Sequence, residues 1–102
     1  MTIKIKTLGF TAKSGLMEFV NEKVEKFAHL YDKIISIEIC FSVDKSATNE
    51  NKVCDIRLII PGNDLFSNAQ CKTFEEATLQ AVEALERQIE KRKTKLKVPQ
   101  NL

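Results

Sequence analysis

From Thr73 to about Lys95, apolar residues return at helical spacing: Phe74, Ala77, Ala81, Val82, Leu85, Ile89 and Leu96 form one stripe. A stripe of that length is stable only against a second apolar face, which the remainder of a 102-residue chain has to supply. The start of this helix is marked by Thr73-Phe74-Glu75-Glu76, the form of a capping box. In such a box the Thr hydroxyl accepts from the amide three residues on, and the Glu side chain reaches back. Acids at the beginning (Glu75, Glu76) and bases at the end match the helix dipole.

The complementary face is legible upstream. Ile3 and Ile5 alternate with Lys4 and Lys6, the two-residue period of a half-buried strand. From about Ser14 the period lengthens: Leu16, Val20, Phe27 and Leu30, with Phe19 and Val24 beside them, lie opposite Glu18, Glu22, Lys23 and Lys26. This predicts a helix ending near His29, with Thr11 or Ser14 as its cap. Alternation then resumes in Ile35–Val43 (Ile37, Ile39, Phe41 and Val43 on one face) and in Val53–Ile60 (Cys54, Ile56, Leu58 and Ile60). The polar stretch Ala47–Lys52 separates these two as a turn. Pro61-Gly62-Asn63-Asp64 reads as a tight connection to a last, more polar strand, Leu65–Lys72, because Pro presets φ and Gly tolerates φ > 0.

The order β-α-β-β-β-α, with one apolar face on every element, predicts an α+β domain: a four-stranded sheet with both helices on one side. Residues 1–102 are expected to form a single domain, ordered over about 2–96 with a frayed tail at 97–102. A chain of this size buries roughly two-thirds of its unfolded surface, enough for one core. No apolar run approaches the ~20 residues of a membrane span, and Met1–Lys6 lacks the apolar segment of a signal peptide. Cys40, Cys54 and Cys71 cannot all pair and lack the spacing of a zinc or redox motif, so they read as reduced, partly buried thiols of a cytoplasmic protein.

Catalysis finds no support. The single histidine, His29, has no adjacent carboxylate pair, and no phosphate-binding loop, nucleophile elbow or metal-ligand motif occurs. No catalytic residue, metal site, cofactor or small-molecule substrate is expected.

Charge is more informative than its total. Of a net +2, residues 87–97 carry +5 and the rest of the chain −3. Lys91, Arg92, Lys93, Lys95 and Lys97 crowd into seven positions. Bases at a helix end are ordinarily solvated and favoured by the dipole, but this density repels itself unless a polyanion neutralises it. If the two helices lie side by side, Lys23 and Lys26 extend the same surface into a groove suited to RNA phosphates. Tyr31, Phe10 and Phe66 are the aromatic candidates for stacking, although phenylalanines more often belong to the core.

Three stretches in this order carry a family resemblance: Leu30-Tyr31-Asp32-Lys33-Ile34, Pro61-Gly62-Asn63-Asp64-Leu65-Phe66, and Ala81–Ile89 followed by Lys91-Arg92-Lys93-Thr94-Lys95-Leu96. Over about Ile3 to Leu96 the sequence resembles the ribosome hibernation promoting factor / ribosome-associated inhibitor family, also called sigma-54 modulation proteins. The resemblance implies a fold akin to double-stranded-RNA-binding domains. It also implies docking on the small ribosomal subunit and its 16S rRNA, where the mRNA and tRNA channel is occupied in stationary or stressed cells. Arg87, Lys91, Lys93 and Lys95 match basic family positions, Lys23 and Lys26 fall on the basic face of the first helix, and Arg92 stands where histidine or another base is common; these seven are the expected rRNA-binding residues. Ala84 and Glu90 depart from positions often basic. Ending at Leu102, the chain resembles the short class, without the dimerising domain of long members, and is expected to be monomeric off the ribosome. The alternatives are a generic double-stranded-RNA binder and a protein–protein regulator.

Overall fold

Each alternating segment becomes a strand in the computed structural model, which describes residues 1–45 and 49–97, the last five of these by their backbone alone. The strands β1 (Thr2–Thr7), β2 (Ser36–Val43), β3 (Lys52–Ile59) and β4 (Leu65–Cys71) form one sheet in the order β1-β2-β3-β4. The helical segments are α1 (Ser14–Glu25), a single further turn α2 (Phe27–Leu30), and α3 (Phe74–Lys97). β1 pairs parallel to β2, which the helical crossover between them permits, while β2/β3 and β3/β4 are antiparallel, the second pair joined by a turn.

Register sorts the side chains into two faces. Inward rows run Ile3–Ile37–Leu58–Leu65 and Ile5–Ile39–Ile56–Ser67 across all four strands, and a third, Thr7–Phe41–Cys54–Ala69, follows them. Outward rows are Lys4–Glu38–Arg57–Phe66 and Lys6–Cys40–Asp55–Asn68, facing solvent. Both helical layers lie on the inward face: Leu16, Val20, Val24 and Phe27 join Ala77, Ala81, Val82, Leu85 and Ile89 in one core with the sheet. The expected architecture, α+β with the helices on one side, is the one observed.

Small residues set how closely α3 approaches. Ala77 and Ala81 are fully buried, and Ser67 of β4 donates from Oγ to the Ala81 carbonyl at 2.8 Å, a buried bond that fixes helix against strand. Thr78, also fully buried, returns its hydroxyl proton to the Phe74 carbonyl at 2.7 Å and lies 3.9 Å from Cys54 Sγ. Among the described residues, no buried side-chain oxygen or nitrogen lacks a partner. That satisfaction is what makes two polar groups tolerable in this core.

Helix ends differ in part from expectation. Thr73 caps α3, its Oγ1 accepting from the Glu76 amide at 3.1 Å. In α1 the capping position falls on Lys13, which has no side-chain bond to give, so neither Thr11 nor Ser14 serves: Ser14 already lies inside the helix. Instead the Lys13 carbonyl takes the amides of Leu16 and Met17. The first helix also divides at Lys26, where ψ relaxes to −22° in the manner of a tightening 3₁₀ turn. One more turn carries Phe27 fully into the core before Tyr31 goes extended. Val43, expected inward, is 43 % exposed because it ends β2 past Phe41, where the pairing with β1 stops.

In the connection from β3 to β4, Gly62 has φ +95°, a conformation that side chains resist. Asp64 Oδ1 accepts the Ile60 amide across this turn at 3.1 Å. Ala47 and Thr48 of the expected first turn, and the expected tail beyond Lys97, lie outside the described residues.

Two consequences can be measured. Leu85→Ala, at a fully buried position, is expected to cost about 2–5 kcal/mol in urea unfolding. Burial pushes the Cys54 thiol up from 9.0 to about 12; the Thr78 contact works against the rise and the charge of Asp55 adds to it. Below pH 9 the thiol is neutral in folded and unfolded chains alike. Above it, the unfolded chain ionises first, so the stability Cys54 contributes is lost progressively as pH climbs towards 12. Urea midpoints measured from pH 8 to 11 should fall, and Cys54→Ala should flatten that slope.

Candidate nucleic-acid interface

The basic segment begins where the sheet runs out. At 1.5 Å per residue the 24 residues of α3 span about 36 Å, whereas the seven residues of β4 cover about 23 Å. Since α3 runs back along β4, its surplus length passes the β3–β4 turn. Among the described side chains, Ile89 is the last of its stripe buried in the core, and Arg87 and Lys91 are exposed on either side of it in sequence. The α3 backbone stays helical through Lys93, Lys95 and Lys97, whose side chains lie outside the described residues.

Arg92 behaves differently from its neighbours. It is half-buried, donates from a guanidinium nitrogen to the Asn63 carbonyl at 3.1 Å, and sets its guanidinium 5.9 Å from the centre of the Tyr31 ring. Tyr31 is itself only 9 % exposed. The three stretches that stand out in the sequence, around Tyr31, Asn63 and Arg92, therefore meet at one end of the molecule.

The two lysines of the first helical region also sit in specific company. α1 lies beside α3, as the charged-groove reading requires, but Lys26 is held 2.6 Å from Glu86 of α3, the side chains being 46 % and 34 % exposed. Lys23 is half-buried, with its ammonium 5.4 Å from the centre of the Phe19 ring. On α3 a shallow groove is lined by Glu83, Glu86, Arg87, Glu90 and Lys91. The middle of α3 is thus of mixed charge, and the described residues do not join Lys26 to Arg87 and Lys91 in an uninterrupted basic strip.

The aromatic candidates divide three ways. Phe10 stacks on Phe74 with ring centres 4.7 Å apart and belongs to the packing at the start of the helices. Tyr31 faces Arg92, and Phe66 remains 48 % exposed on the open sheet face beneath Arg57. His29 is exposed at the end of α2. Among the described residues there is no cluster of His, Cys, Asp or Glu able to hold a metal, and no helix long and apolar enough to cross a membrane.

Sequence reasoning singled out Glu90 but missed Glu83 and Glu86, which continue it into an acid run, and the partners of Arg92. Both left a signal. The acids recur at spacings of three and four, which puts them on one helix side. Arg92 stands three residues after Ile89 and seven after Leu85, on the continuation of the apolar stripe rather than on the solvent face.

Fold and charge pattern together define a β-α-β-β-β-α module that carries a basic helix end past its sheet. The chain belongs to the sigma 54 modulation protein / S30EA ribosomal protein family, whose model matches residues 3–97. A search of curated protein sequences found no match. Among solved structures, a ribosomal subunit interface protein from Coxiella burnetii superposes with a TM-score of 0.79 at 23% identity, over 92% of this chain and 99% of that one. The N-terminal domain of Protein Y from Thermus thermophilus does so with a TM-score of 0.75 at 17% identity, over 89% and 98%. At these identities the likeness is one of fold.

The Lys26–Glu86 bridge yields a direct test. An exposed pair of this kind stabilises by no more than about 1 kcal/mol, so Glu86→Gln should unfold within that margin of wild type. Freed of its acid, Lys26 is expected to raise affinity for polyanions, read as elution from heparin at higher salt. Unchanged elution would mean that Lys26 takes no part in the basic surface.

Proposed function

We propose that this protein is a ribosome hibernation factor, a single ribosome-binding domain that stops translation by occupying the mRNA and tRNA channel of the small subunit under stress or in stationary phase. The observation that carries the reading is membership over residues 3–97 of a family described as ribosomal, in a chain whose basic residues are concentrated on a helix end projecting beyond the sheet. The names of its structural neighbours, a ribosomal subunit interface protein and Protein Y, are consistent with it.

The mechanism is electrostatic and steric. Arg87, Lys91, Lys93 and Lys95 neutralise 16S rRNA phosphates and release condensed counterions, with Lys23 of α1 and Lys26 at its end contributing. Phosphate contacts of this kind fix position rather than read sequence. The body behind them, 26 × 20 Å in cross-section, excludes the RNA strands that translation requires. Occlusion needs no bond-making step and no cofactor. The protein acts in the cytoplasm, as a monomer when off the ribosome.

The test is sedimentation of the purified protein with small subunits, large subunits and an unrelated RNA duplex, at low and at physiological salt. Selective migration with small subunits at physiological salt is the expected result. Equal binding to all three, vanishing with salt, would reduce the protein to a generic RNA binder; absence from every pellet would turn attention to a protein partner. Replacing Arg87, Lys91, Lys93 and Lys95 together by Gln should lower the log–log salt slope by about one unit for each phosphate contact removed.

A further inference from the structure

We infer that Arg92 is a positioning residue of the basic helix end and not a phosphate ligand. Five bases follow one another closely in 91–97, and by charge alone Arg92 is one of them. Its surroundings set it apart. One guanidinium N–H is directed to the Asn63 carbonyl at 3.1 Å, and the guanidinium carbon lies 5.9 Å from the centre of the Tyr31 ring. The ring it faces is buried, whereas Lys91, one residue earlier, is exposed.

The contacts join three segments far apart in the chain. Asn63 belongs to the turn between β3 and β4, next to Gly62 with its positive φ and to Asp64, which holds the Ile60 amide. Tyr31 is where the chain leaves α2 and turns extended towards β2, its amide bonded to the Phe27 carbonyl at 3.0 Å. Arg92 ties both segments to α3 just beyond Ile89, which is buried in the core. α3 is longer than β4, and this tie lies in the stretch of helix beyond Ile89 that reaches the β3–β4 turn.

A guanidinium suits this task better than an ammonium. Its rigid fork holds a carbonyl with one N–H while its delocalised charge stays near an aromatic ring, a fixed geometry that the point charge on a flexible lysine stem does not reproduce. A phosphate ligand shows the opposite tolerance, since a lysine also binds phosphate as a point charge. Lysine and arginine at position 92 therefore separate the two roles. The functional side of this inference rests on the ribosome-binding reading; the structural side does not.

Three variants are compared: Arg92→Lys, Arg92→Gln and, as the phosphate-ligand control, Lys91→Gln. In the free protein, hydrogen exchange at the amides of Ile60 and Tyr31 should quicken by about tenfold in both Arg92 variants, as when a local tie is lost. The central strand amides should be unchanged. In small-subunit binding, Arg92→Lys and Arg92→Gln should weaken association by a similar factor of about three to ten and leave the log–log salt slope at its wild-type value. Lys91→Gln should lower that slope by about one unit and leave the exchange rates alone. Wild-type binding by Arg92→Lys, or a slope reduced by one unit in Arg92→Gln, would overturn the inference and return Arg92 to the phosphate ligands. Unaltered exchange at Ile60 and Tyr31 would overturn it as well, even with ribosome binding intact. Were wild type to bind no small subunits, the proposed function would fall while the exchange experiment still decided whether Arg92 ties the three segments together.

Discussion

The structure depends on the seating of α3 against β3 and β4. Ala77, Ala81, Leu85 and Ile89 are almost wholly buried against strands that present Cys54, Ile56, Leu58 and Ala69. Burying side chains such as Leu85 and Ile89 is worth roughly 1.5–3 kcal/mol each. The two alanines bring the backbones close enough for Ser67 to reach the Ala81 carbonyl. α1 lies beside this helix–sheet pair, with Leu16, Val20 and Val24 filling the same core. Without α3 in place neither the first helix nor the inward rows of the sheet would be covered.

The same contact makes the basic end available. A helix fixed along its first four turns is stiff, and its backbone continues helical through the basic segment to Lys97. Ordering costs that a flexible tail meets on binding are thereby reduced. The open sheet face, by contrast, intersperses its charges, setting Glu38 between Lys4 and Arg57 in one row and Asp55 in the same row as Lys6. The dense run of bases is on the helix end.

Element types were legible because their periods differ. Two-residue alternation at Ile37, Ile39 and Phe41 and the 3.6-residue stripe of α3 each admit one backbone solution that buries the apolar set. Boundaries were less legible. Capping of α1 turned on a shift of one or two positions, from Thr11 or Ser14 to Lys13, a distinction set by how the chain leaves β1. The interface was legible as a composition, six bases in eleven residues, but not as an arrangement. Lys26 and Glu86 are sixty positions apart, and nothing in either neighbourhood announces that α1 sets one upon the other.

The sequence by itself determined the class of fold, the helix that organises it and the local excess of positive charge. These follow from periodicity and from residues adjacent in the chain, which act whatever the tertiary partners are. Only the tertiary structure decided which charges are available. Lys26 meets an acid, Arg92 meets a carbonyl and a buried ring, and Arg87 and Lys91 remain in water. The reason is distance: a charge is offset or left open by groups within a few ångströms, and in a folded chain those groups come from segments the sequence keeps far apart.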